Sequence, residues 1–200
     1  MISKTELERI ENYLRGWSEG TAFQGKIYVA DDSVAYGYMG VPTPLLHLVV
    51  DLPNGAFLLA DELQEQGLLA KYPCKQECDG ECLLMLRDFP MGMIHCEQSR
   101  KGHPLLESGD PSDLYVPLEV DAGRHPFTVC ALYRQVGSPE ILDPTGQGLS
   151  DLRDKVLRVV DPDFSVDMYP LSIAQGVLLS LDLDLEIMPS TLEKLGLCQE

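Results

Sequence analysis

GKIYVADDSVAYGYMGVPTPLLHLVVDLPNGAFLLA, residues 25–60, carries the densest secondary-structure signal in the chain. Two β-rich runs, Gly25–Asp31 and Ser33–Tyr38, surround Asp31-Asp32. Two more, Leu45–Asp51 and Ala56–Ala60, flank Pro53-Asn54-Gly55. Asn-Gly accepts the positive φ that a tight two-residue turn demands, and each pair of runs is expected to form a β-hairpin. Successive hairpins build an antiparallel sheet, because parallel neighbours need long crossovers.

Outward from this stretch, Ser3 and Glu6 have the spacing of a capping box, and Leu7, Ile10, Leu14 and Trp17 share one helical face. A helix is expected over 4–17, ending near Gly20, and a short one over 61–70 capped by Asp61. Strand signals return at Leu114–Val120, Phe127–Arg134 and Glu140–Leu142. Further helices are expected over 151–160, with Leu152, Val156 and Val159 inward, over 171–180, and over 190–196. Leu181, Leu183, Leu185 and Ile187 alternate with Asp182, Asp184 and Glu186, the period of a half-buried strand with a solvated acidic face. No regular βαβ alternation occurs. The expected class is α+β, a single domain over 1–200 with a mainly antiparallel sheet, an N-terminal helix and C-terminal helices. Residues 71–112, with Pro73, Pro90, Pro104 and Pro111, read as an irregular Cys/His-rich insertion.

Fifteen Lys and Arg face thirty-two Asp and Glu, a net charge of −17, and the excess runs through every quarter of the 200 residues. Such a field repels phosphate backbones and anionic lipid, so neither nucleic acid nor a membrane surface is expected as a partner. It favours a basic protein face. No apolar run reaches the length of a membrane span, and the N-terminus lacks the apolar core of a signal peptide, which points to the cytoplasm. Six cysteines in such a setting are expected as thiols or metal ligands, not disulfides.

Cys74, Cys78 and Cys82 are spaced C-x3-C-x3-C, and His95, Cys96 and His103 lie downstream. Three thiolates with one of those three would give zinc its four ligands and pin a Pro- and Gly-rich loop. The same spacing would line one face of a helix. The neighbouring Glu77, Asp79 and Glu81 disfavour a reactive thiolate.

His125 opens HPFTVCALYRQVGSPEILDPTG, and Asp143 lies near its end. This run resembles the His–Asp hairpin of transglutaminase-like and papain-like thiol enzymes. The resemblance implies a thiol hydrolase or acyltransferase, with Cys82 as nucleophile, His125 as base and Asp143 as the orienting carboxylate. His47 and Asp61 form a second pair, but no cysteine precedes them, and His47 reads as a hydrogen-bonded histidine of a core strand. Phosphate loops, Gly-x-Ser-x-Gly, His-Glu-x-x-His and basic patches are missing from the sequence. The leading expectation is therefore an acidic binding or adaptor protein engaging a basic protein, its Cys-rich segment pinned by zinc. The thiol enzyme is the alternative.

Overall fold

The computed structural model describes residues 1–71, 74–76, 81–89, 93–100, 115–161, 163–164 and 171–197. Helix α1 (Lys4–Ser18) starts where Ser3 accepts a hydrogen bond from the Glu6 amide, and it buries Leu7, Ile10 and Leu14. Strand β1 (Ile27–Ala30) leads into α2 (Asp32–Met39), and β2 (Leu46–Val50) into α3 (Gly55–Glu65). Next come β3 (Cys74–Gln76), β4 (Glu81–Met85), β5 (Met93–Gln98) and a short α4 (Leu118–Asp121). The chain continues through β6 (Tyr133–Gln135), β7 (Ile141–Leu142), α5 (Gly148–Asp154) and β8 (Val156–Leu157). After these stand α6 (Ser172–Leu183), β9 (Glu186–Ile187) and α7 (Pro189–Lys194).

Among the described residues, seven strands form one sheet in the order β3-β4-β5-β2-β1-β6-β7. Every neighbouring pair is antiparallel except β2 and β5, which run parallel from Leu46 opposite Ile94 to Val50 opposite Gln98. The expected class is found: α+β, a mainly antiparallel sheet, and helices towards both ends. A separate small parallel pair joins β8 to β9.

Side-chain alternation gives the sheet two unlike faces. Ile27, Val29, Leu46, Leu48, Val50, Cys82, Leu84, Ile94 and Cys96 enter the main core. They share it with Leu7, Ile10 and Leu14 of α1, Leu59 and Leu63 of α3, and Leu179 and Leu183 of α6. On the other face a smaller apolar group of Ala30, Val49, Leu118, Ala122, Ala131 and Tyr133 sits beside charged side chains.

The two expected hairpins do not form, for separate reasons. After β1, Asp31 takes φ 54° and its carboxylate caps α2 by accepting from the Asp32 amide at 2.8 Å. Val34, Ala35 and Tyr36 are then all buried in succession, which a strand with one wet face does not allow. After β2, Asn54 does take the left-handed conformation expected of Asn-Gly, but Ala56, Leu59, Ala60 and Leu63 bury at helical spacing. The turn starts a helix instead of returning a strand, and the helix expected from Asp61 is the second half of α3.

Other boundaries shift as well. The expected strand at 114–120 contains the start of α4, and that at 127–134 becomes a 3-10 turn over Thr128–Cys130 leading to β6. The helix expected over 151–160 ends at Asp154, where Lys155 turns left-handed, so Val156 lies in β8. The acidic alternation at 181–187 is mostly the end of α6, with Asp184 left-handed at its C-cap. Within 71–112, expected to be irregular, β3, β4 and β5 supply three strands of the main sheet.

Candidate functional site

The charged half of the second sheet face is assembled from four strands and one crossing segment. β4 contributes Glu81, β5 contributes His95 and Glu97, β2 contributes His47, and Asp31 stands at the end of β1. Registers place Glu81 opposite Glu97, Leu83 opposite His95, and His47 opposite His95. Over them run α4 and the 3-10 turn Ala122–Arg124, which bring Asp121, Arg124 and His125. The Ser33 hydroxyl of α2 donates to the Leu45 carbonyl and accepts from the His47 amide, tying α2 to the start of β2.

Glu81 accepts from His95 Nε2 at 3.0 Å and pairs with the buried Arg100. Burial works to raise the Glu81 carboxyl, but His95 and Arg100 outweigh it and hold it at about 2. Glu97 pairs with Arg124 and lies 3.5 Å from Arg100 Nη2. Asp121, wholly buried, accepts from the Arg100 amide at 2.8 Å, Arg124 Nε at 2.7 Å and the Tyr133 hydroxyl at 2.6 Å. Burial opposes its charge, but Arg124 and His125 keep Asp121 well below the ordinary carboxylate range. His125 closes this side, with Nε2 3.2 Å from the Tyr133 hydroxyl and Nδ1 3.9 Å from Asp31.

At the other end the charges are less well matched. His47 lies 3.7 Å from both Asp31 Oδ2 and Asp32 Oδ1, and its Nδ1 is 3.3 Å from Nδ1 of His95. Burial, with the Asp31 charge behind it, lifts Asp32 to about 8, so at neutral pH it keeps its proton. Asp32 Oδ1 is buried without a hydrogen-bond partner among the described residues. Burial is also the main reason that His47 is pushed below the usual imidazole range. His95 is lifted above it: burial opposes the charge, but Glu81 and Glu97 prevail. A charged His95 donating to a neutral His47 satisfies the 3.3 Å contact, and leaves the other His47 nitrogen as a donor towards Asp32.

The residues expected to form a thiol site are not gathered here. Cys82 is buried on the core face, where its thiol donates to the Ala56 carbonyl at 3.4 Å. His125 belongs to the charged face, so the sheet stands between them. Asp143 orders its own turn, accepting from the Thr145 hydroxyl at 2.8 Å and the Leu149 amide at 2.9 Å. Among the expected zinc ligands, Cys78 and His103 lie outside the described residues, and Cys74 is described only as part of the β3 backbone. Cys82 and Cys96 are cross-strand partners on the core face, whereas His95 points the opposite way. Alternation along β5 thus separates imidazole from thiols, and among the described residues no group of three His, Cys, Asp or Glu is arranged to hold a metal. The zinc expectation is corrected on that ground.

His47 is the hydrogen-bonded histidine of a central strand that the sequence suggests, although it faces Asp31, Asp32 and His95 instead of Asp61. Sequence reasoning does not reach Asp31, Asp32, Glu97, Arg100, Asp121, Arg124 and Tyr133. The one local signal is the alternation of His95 and Glu97 with Ile94 and Cys96, which marks a strand with one polar and one apolar face.

The fold and its charged face define an α+β module with polar chemistry on one side of a mixed sheet. No family model matches the chain. Solved structures share the architecture. A CCA-adding enzyme in its apo form II superposes with a TM-score of 0.71 at 19% identity, over 95% of this chain and 43% of that one. The Thermotoga maritima CCA-adding enzyme complexed with tRNA gives 0.69 at 18%, over 94% and 40%. A tRNA nucleotidyltransferase complexed with a primer tRNA and an incoming ATP analog gives 0.64 at 23%, over 85% and 45%. A multifunctional CCA protein of Xanthomonas campestris pv. campestris is 35% identical over 80 residues, 40% of this chain and 18% of that protein. The chain therefore has the fold of part of the CCA-adding enzymes and spans less than half of each of these proteins. These likenesses overturn the expectation of a protein-binding adaptor that avoids nucleic acid. Net charge reports only a summed field, and proteins with this fold are solved with tRNA.

Proposed function

We propose that this chain works in tRNA maturation, as a nucleotidyltransferase-fold domain that receives a tRNA substrate of CCA addition. The observation that carries this reading is the superposition of 94% of the chain on a CCA-adding enzyme complexed with tRNA, at a TM-score of 0.69. The 80-residue likeness to a multifunctional CCA protein supports it from sequence. None of the described helices is long and apolar enough to cross a membrane. Work on tRNA fits a cytoplasmic protein.

Fluorescence anisotropy with a labelled tRNA lacking its terminal CCA tests the reading. The expected result is saturable binding that unlabelled tRNA displaces and duplex DNA of equal length does not. Equal competition by the two, or no binding at any salt concentration, would remove the reading.

A further inference from the structure

Nucleotidyl transfer is a displacement at phosphorus, which polymerases drive with paired divalent cations. Mg²⁺ takes oxygen ligands, chiefly carboxylates with water and phosphate, and binds imidazole poorly. The donors on the charged face do not fit that demand. Glu81 is engaged by His95 and Arg100, and Glu97 by Arg124. Asp121 is fully committed to Arg100, Arg124 and Tyr133. Asp31 and Asp32 lie away from the arginines' direct ion pairs, and His47 stands 3.7 Å from each. One Asp31 oxygen is already used to cap α2.

We infer that this chain holds its substrate without carrying out metal-dependent nucleotidyl transfer: on its charged sheet face, His95, Arg100 and Arg124 take the electrostatic place of a divalent cation. The inference takes its substrate from the tRNA reading, but its claim about metal stands on the donor set alone. Each described carboxylate of this face meets a protein cation at ion-pair distance, or faces an imidazole. A cation entering beside Glu81, Glu97 or Asp121 would have to displace the buried Arg100 or the partly buried Arg124 guanidinium, leaving that charge without its carboxylate.

Two measurements on the full chain separate this inference from the reading beneath it. The first is a Mn²⁺ titration followed by loss of the free-ion electron paramagnetic resonance signal. The second offers α-labelled CTP and Mg²⁺ together with tRNA lacking its CCA, with tRNA binding read by anisotropy in parallel. Expected are no saturable Mn²⁺ binding, incorporation equal to the protein-free control, and retained tRNA binding. The variant His47→Asp places a third carboxylate beside Asp31 and Asp32, and is expected to show saturable Mn²⁺ binding where the parent shows none. One Mn²⁺ held per chain and lost in Asp31→Asn, or Mg²⁺-dependent incorporation, overturns the inference while upholding the tRNA reading. Failure to bind tRNA overturns that reading, and absent Mn²⁺ binding then still upholds the account of the donor set. A folded His47→Asp chain that binds Mn²⁺ no better than the parent overturns the role given to the donor geometry.

Discussion

The Arg124 guanidinium serves both Glu97 and the fully buried Asp121. Arg124→Met keeps bulk but leaves two buried carboxylates short of a cation, so a loss of about 3–5 kcal/mol is expected in urea unfolding. Titratable groups across the same face set the pH dependence. Glu81 is held at about 2, so its stabilisation is complete above the ordinary carboxylate value and is lost as the solution is acidified towards 2. His95 is raised, so its contribution is complete below the ordinary imidazole value and fades as pH rises through the raised one. Asp32, lifted to about 8, holds a proton that the unfolded chain has already released, so stability falls with rising pH up to about 8. The slope from this one group reaches at most about 1.4 kcal/mol per pH unit. Asp32→Asn removes the titration and is expected to flatten the decline between about pH 5 and pH 8, read from urea midpoints at each pH. An unchanged slope would show that Asp32 is ionised in the folded chain. Little of this is legible in the sequence: Asp31-Asp32 resembles a hairpin turn, and the partners that give both residues their environment come from distant segments.

Elements are more legible than their partners. The capping box at Ser3 and the spacing of Leu7, Ile10 and Leu14 locate α1 to within a residue, and the apolar runs locate β1 and β2. The helices after these two strands are harder to see, because Asp-Asp and Asn-Gly specify a change of direction and not the structure beyond it. Ala56, Leu59 and Leu63 together are the discriminating residues, since separations of three and seven share one face of a helix but fall on opposite faces of a strand. Close approach explains another boundary. A Cβ on Gly148 would stand 2.5 Å from the Thr128 carbonyl oxygen and 2.8 Å from Leu132 Cδ2, so α5 can begin there only with glycine. Gly148→Ala is expected to destabilise by about 1–3 kcal/mol, the usual range for overpacking. Gly123→Ala, with nothing within 4 Å of its Cβ, serves as the control, and thermal melts should separate the two. Equal melting temperatures would mean that the Thr128 turn yields freely.

For the whole molecule, the −17 charge opposes compaction as well as the approach of RNA. Added salt should therefore raise the melting temperature from its low-salt value, as screening relieves self-repulsion. A flat or falling curve in differential scanning fluorimetry would show that local ion pairs outweigh the general field. Glu11–Arg134, which joins α1 to β6 at 2.5–2.7 Å, is one such pair. The α+β class is legible because hydrophobic period and element order survive without knowledge of contacts. The nucleic-acid reading is not, because a charge total cannot show where charges are paired. The parallel pairing of β2 with β5 has a kinetic consequence. Leu46 of β2 meets Ile94 of β5, and Tyr28 of β1 meets Gln135 of β6, so neither pairing forms until a long stretch of chain has folded back. During synthesis, β1 and β2 can associate early, but both outer flanks of that pair wait for later segments to leave the ribosome. Until then two unpaired strand edges, rich in aliphatic side chains, are open to other nascent chains, and the growing polypeptide is most vulnerable to aggregation before β5 and β6 arrive.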